Sequence, residues 1–167
     1  MVVDSIHGTV SQEIVVAVPP AVVWSAFADA DFRGSWFSLP GDRNSRSHEL
    51  DFRVGGEELT RSTFNNIDHL ERLELRSRLL DIDPQRRITA TSTFRLNEVV
   101  RIVTISSTTF EPTDEGTRVS FLEQYQCFGL VGDGSGDQER GEREGGTRFM
   151  LRRLSIALEH AASAAKS

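Results

Sequence analysis

The stretch "DFRVGGEELTRSTF", Asp51–Phe64, alternates as a β-strand does, halts at Gly55 and Gly56, and alternates again. Glycine inside a strand packs nothing and costs chain entropy, so a pair of them marks a turn, a bulge or a close backbone approach. Two half-buried strands, His48–Val54 and Glu57–Phe64, are expected to meet at a corner there. Asp51 and Arg53 share one face of the first strand, in position to form a structural ion pair beside that corner.

The alternation continues after the corner. "HLERLELRSRLLDID" carries Leu73, Leu75 and Leu79 on one side, and "DPQR", Asp83 to Arg86, is a turn. "RITATSTFRLN" sets Ile88, Ala90, Phe94 and Leu96 against Thr89, Thr91, Thr93 and Arg95. "VVRIVTISSTTFEP" runs to Pro112, and "TDEG" turns into "TRVSFLEQYQCF". Short connections between successive strands predict an antiparallel meander.

Before the corner, His7–Val18 reads as a strand stopped by Pro19-Pro20. Pro20 suits the first turn of a helix carrying Val22, Val23, Ala26 and Phe27, with Trp24 on the Phe27 face as a core residue. Asp29 is a candidate N-cap for a second short helix ending at Gly34, with Trp36 and Phe37 just beyond. At the other end, "GLVGDGSGDQERGEREGG" is rich in glycine and charge, and its first half is expected to be a mobile loop. "TRFMLRRLSIALEHAASAAKS" then places Met150, Leu151, Leu154, Ala157, Leu158 and Ala161 on one helical stripe. The expected architecture is α+β, a sheet of about six to seven strands covered by one long C-terminal helix.

The totals fit one domain over residues 1–167. The chain is 38% hydrophobic and 26% charged, and contains ten Phe, two Trp and one Tyr. Nineteen Lys and Arg against 25 Asp and Glu give a formal net charge of −6, an ill fit to phosphate backbones, so nucleic acid is not expected as a partner. Cys127 is the only cysteine, which excludes an intrachain disulfide and fits a reducing cytoplasm. The first ten residues lack the basic and apolar regions of a secretory signal, and no apolar run approaches the roughly 20 residues that span a bilayer.

In combination, several segments resemble the START-like superfamily. They are "VPPAVVWSAF", "SWF", "DFRVGG", "TTFEPTDEGTRVSFLEQYQCFG" and "EGGTRFMLRRLSIALE". Within the superfamily they look like the branch named after the activator of the heat-shock chaperone ATPase. The resemblance implies the helix-grip fold, a sharply curved sheet wrapped around the last helix with Gly55-Gly56 at one corner. It also implies a space between sheet and helix that holds a small apolar molecule. Where the family usually has a Trp at the start of the last helix, this chain has Gly146.

The chemistry-bearing residues are few. His7, His48, His69 and His160 are scattered, with no metal-ligand spacing, and neither a metal nor another cofactor is expected. The "GDGSG" run, Gly132–Gly136, lacks the Lys-Ser/Thr ending of a phosphate loop and carries repelling carboxylates. If Val119 and Phe121 point inward, period two brings Glu123 and Tyr125 inward too. A carboxylate on an apolar wall can serve as general acid or base, and Tyr125 offers a hydroxyl; the bland alternatives are that Glu123 pairs with an arginine or lies near the open end of the strand in water, and that Tyr125 is plain packing. Trp36, Phe37, Phe64, Phe94, Phe121 and Met150 complete the expected ligand-lining set. Three functions compete: a module binding a small apolar or amphipathic molecule, a cyclase- or dehydratase-type enzyme using Glu123 and Tyr125, and a chaperone-associated interaction protein. A homodimer is compatible with each.

Overall fold

The computed structural model describes residues 4–166; residues 1–3 and 167, the ends of the expected domain and the last residue of the expected C-terminal helix, lie outside the described residues. The chain runs β1 (Ser5–Val16), α1 (Pro20–Ala28), α2 (Ala30–Trp36), a 3-10 turn (Arg43–Ser45), β2 (Ser47–Leu50), β3 (Glu57–Asn66), β4 (His69–Asp83), β5 (Arg87–Leu96), β6 (Val99–Thr113), β7 (Gly116–Phe128) and α3 (Asp137–Ala164). One antiparallel sheet has the order β1-β7-β6-β5-β4-β3-β2. Among the described residues, only the β1–β7 pairing joins strands distant in sequence, setting Val10 opposite Glu123 and Gly8 opposite Tyr125. Register shifts at Leu79/Asp81 and at Phe94/Arg95 interrupt two ladders. Such bulges bend and twist a sheet, here allowing it to curve around α3. This is the expected α+β helix-grip architecture.

The two glycines have separate jobs. Gly55 adopts φ +81°, the left-handed region that penalises any side chain. Gly56 has no such φ, but a Cβ there would collide with the Asp51 carbonyl oxygen. Together they close a turn, with Arg53 N donating to Asp51 O at 2.9 Å and Gly56 N to Arg53 O at 2.8 Å. That turn shortens the expected His48–Val54 strand to Ser47–Leu50. The Asp51–Arg53 ion pair forms at 2.9 Å and is largely exposed.

Other boundaries differ from expectation, β3 for one running on past Phe64 to Asn66. β1 is displaced two residues toward the N-terminus, because Val18 instead supplies a carbonyl to the buried Thr117 hydroxyl at 2.7 Å. α2, capped by Asp29 through Phe32 N at 2.8 Å, continues past Gly34 to Trp36. The largest change is in α3, which starts at Asp137 and not near Thr147, running through Gly141, Gly145 and Gly146. Each helical glycine costs about 1 kcal/mol relative to alanine. Tertiary contacts offset that cost: Gln12 Nε2 donates to Glu144 O at 3.1 Å, and Arg143 binds Glu123 on β7. Gly136, at φ +79°, turns the chain into the helix.

The main core gathers Val16, Val23, Ala26, Phe27, Trp36, Leu79, Phe110, Val119, Leu151, Leu154 and Leu158. The stripe read on α3 therefore faces inward, with Leu151, Leu154 and Leu158 fully buried. Edge-to-face aromatic pairs tie α1 to β6, with Phe27–Phe110 at 5.0 Å and Trp24–Phe110 at 5.6 Å, to the turn after β2, with Trp24–Phe52 at 5.5 Å, and to α2, with Phe27–Trp36 at 5.1 Å. The backbone of α3 approaches β1, α1 and α2 most closely, leaving a space over the central strands.

Candidate functional site: a cavity between sheet and helix

That space is a cavity of about 1050 Å³. Its floor comes from alternate residues of the central strands, Leu75 and Leu79 on β4, Ile88, Ala90, Phe94 and Leu96 on β5, Ile102 on β6 and Phe121 on β7. Met150, Leu151 and Phe149 of α3 form the roof, and Trp36, Phe37 and Leu39 close one flank. The period-two side-chain alternation of each strand puts these apolar groups on the concave face.

Of the expected lining residues, Trp36, Phe37, Phe94, Phe121, Glu123 and Met150 border the cavity. Trp36 is chiefly structural, buried with its indole N–H donating to Ala26 O at 2.8 Å. Phe64 is not part of the lining. It has the same strand parity as the buried Glu58, Thr60 and Ser62, but near the end of β3 it is 42% exposed. Tyr125 is not part of the lining either, although its cluster partner Cys127 is; it packs with Val10 and Cys127, its ring lying over Gly8. A Cβ at Gly8 would come within 2.5 Å of the Tyr125 hydroxyl, so the absent side chain makes room for the ring. Burial pushes both the Tyr125 phenol and the Cys127 thiol up from their ordinary values, which favours their neutral forms.

Glu123 points inward as alternation requires and is only 5% exposed. It is not a lone carboxylate. Arg143 of α3 reaches it through both Nε, at 3.1 Å, and Nη2. The turns of α3 that precede the expected stripe thus supply the counter-charge. The pairing alternative, rather than the isolated acid, describes this residue.

A second buried ion group was missed from the sequence. Glu58 on β3 accepts both arms of the Arg33 guanidinium, Nε at 2.7 Å and Nη2 at 2.9 Å, and contacts His48 Nε2 at 2.8 Å. Arg33 also lies over the Phe37 and Trp36 rings, 3.7 Å and 4.5 Å from their centres. Burial raises the Glu58 pKa, but Arg33 and His48 outweigh it and hold the carboxyl at about 2. Arg33 and Glu58 border the cavity. The available signal was parity: stepping back by twos from Phe64 makes Glu58 an inward charge in need of a partner. Among the described residues, no His, Cys, Asp and Glu side chains group as a metal site.

A family model described as "Polyketide cyclase / dehydrase and lipid transport" matches residues 7–160. The chain belongs to this START-like family. Among solved structures, an uncharacterized protein from Rhizobium leguminosarum is 26% identical, with a TM-score of 0.81 over 96% of this chain and 99% of that one. A protein from Rhizobium loti is 29% identical, with a TM-score of 0.75 over 92% and 98%. A protein of unknown function from Staphylococcus aureus shares the fold at 14% identity, with a TM-score of 0.69 over 95% and 98%. A comparison with curated proteins finds no match. No helix among the described residues is long and apolar enough to cross a membrane.

Proposed function

We propose that this protein binds a small apolar or amphipathic molecule in the cavity between its sheet and α3. The carrying observation is the cavity of about 1050 Å³ with its largely aliphatic and aromatic floor and roof. Pockets for small organic ligands typically measure about 300–1,000 Å³ and are apolar with a few placed polar groups. The family's description, which includes lipid transport, supports the same reading. Native mass spectrometry of protein purified without added ligand tests it. A bound organic species released by denaturation is the expected result. An empty cavity that also fails to take up apolar dyes or alkyl chains would refute the proposal.

Enzymatic turnover of the bound molecule is a second reading, favoured by the Glu123–Arg143 pair on the cavity wall. Glu123 would exchange the proton and Arg143 would hold it in place. Tyr125, packed over Gly8 and not part of the cavity lining, is not needed for that role. Glu123→Gln keeps the shape and removes the proton exchange, so any turnover of the extracted ligand should collapse while its affinity changes less than about threefold. Unchanged turnover would end the reading. The chaperone-associated function rests on the motif resemblance alone, and its test is stimulation of a chaperone ATPase by the purified protein. The binding reading takes a small apolar molecule, and no nucleic acid, as partner, in the cytoplasm, with size-exclusion chromatography deciding whether a homodimer forms.

A further inference from the structure

The cavity is electrically polarised along α3. Arg46 and Arg153, with Arg43 beside them, border the end formed by the Ser38–Arg46 segment. Among the described residues, none of the three arginines has a carboxylate within ion-pairing distance. The cavity's Arg33 and Arg143, by contrast, are matched by Glu58 and Glu123. Arg153 is held in place by Ser38, donating to its Oγ at 2.8 Å and more weakly to its carbonyl at 3.4 Å. Arg46 donates to the Gly41 carbonyl at 3.0 Å. Burial and the nearby Arg46 charge both lower the Arg153 pKa, the direction set by desolvation and an unmatched positive field.

The far end differs. Glu123, Glu139 and Glu142 border it, against Arg143 and Arg101. Arg101 donates to the Gly129 carbonyl, and Val131 N donates to Glu139 Oε1 at 2.7 Å. Glu139 Oε2 has no hydrogen-bond partner among the described residues. At about 1.5 Å per helical residue, Glu139 and Arg153 stand about 21 Å apart along α3. An anion entering the cavity is therefore favoured at the Ser38–Arg46 end, where three arginines face no carboxylate, over the far end, where three carboxylates stand against Arg101 and Arg143. Apolar side chains, Phe94, Phe121 and Met150 among them, lie between.

Resting on the cavity-binding reading, we propose that the ligand is an anionic amphiphile. Its oxyanion head, a carboxylate or phosphate, is held by Arg46 and Arg153 with Arg43 at the rim, and its apolar body extends under α3. Arginine suits this role because its planar fork donates two parallel hydrogen bonds to an oxyanion.

Titration calorimetry with dodecanoate, dodecyl phosphate, dodecanol and dodecylammonium, each below its aggregation limit, tests the assignment. At least one of the two anions should bind about tenfold or more tightly than dodecanol, and the cation least well. The better anion identifies the head. Raising salt from about 0.1 M to about 1 M, which shortens the screening length from about 10 Å to about 3 Å, should erase most of the anion's advantage. An Arg46→Gln, Arg153→Gln double variant should lose that advantage while keeping its dodecanol affinity, which also certifies its fold. Equal binding of dodecanol and both anions, or an anion preference that survives in the double variant, overturns the head-group assignment and leaves the cavity reading standing. Failure of all four probes to bind overturns both.

Discussion

Replacing Glu58 tests most directly how the cavity wall is held. Its carboxyl pKa is about 2 in the folded protein against an ordinary 4.5. The unfolded chain then binds the proton more readily, so acid favours unfolding. The stabilisation is fully present above about pH 4.5 and is lost as pH falls toward 2. A shift of that size corresponds to about 3 kcal/mol, a large share of a typical total stability of roughly 5–15 kcal/mol. In Glu58→Gln the amide cannot balance Arg33, which is left nearly buried with its charge unmatched, at a cost of about 3–5 kcal/mol near neutral pH. Urea unfolding at intervals from pH 7 to pH 3 reads both effects. The wild type should lose stability steeply below pH 4.5, and the variant should start lower and show a flatter acid limb. Parallel acid limbs, or a variant within about 1 kcal/mol of wild type at pH 7, would show that the Arg33–Glu58–His48 group is not what stabilises this wall.

Leu154, fully buried in the α3 stripe, should not tolerate a charge: Leu154→Asp should abolish cooperative unfolding, and Leu154→Ala should cost about 2–5 kcal/mol in denaturant titrations. At the corner, Gly55→Asn should be mild, because asparagine visits positive φ, whereas Gly56→Ala should destabilise by more than about 1 kcal/mol through its clash with the Asp51 carbonyl. Equal melting temperatures for these two glycine variants would contradict the separate roles given to them.

Strands with a long period of two were legible in the sequence. β4 was expected over His69–Asp83 and occupies those residues, because its alternation is long and both ends abut turns. The α3 stripe was readable for the same reason, since the period of an amphipathic face follows from backbone geometry alone. Glu123 was correctly placed inward from Val119 and Phe121, and Gly55 was correctly marked as a corner.

What the chain alone could not reveal were the pairings made across the fold. Glu123 meets Arg143 only because α3 begins ten residues earlier than local glycine content suggests, and that early start depends on contacts with β1 and β7. Arg33, His48 and Glu58 lie on three elements and become neighbours only when α2 and β2 close against β3. Tyr125 shares its parity with Glu123 yet misses the cavity, because a strand's alternation sets which face a side chain takes but not what covers it. The sequence by itself determined the element order, the concave face and the buried stripe, since these follow from local periodicity. Only the tertiary structure decided which charges neutralise one another and which stay unmatched at the Ser38–Arg46 end of the cavity, since electrostatic pairing depends on distances between residues remote along the chain.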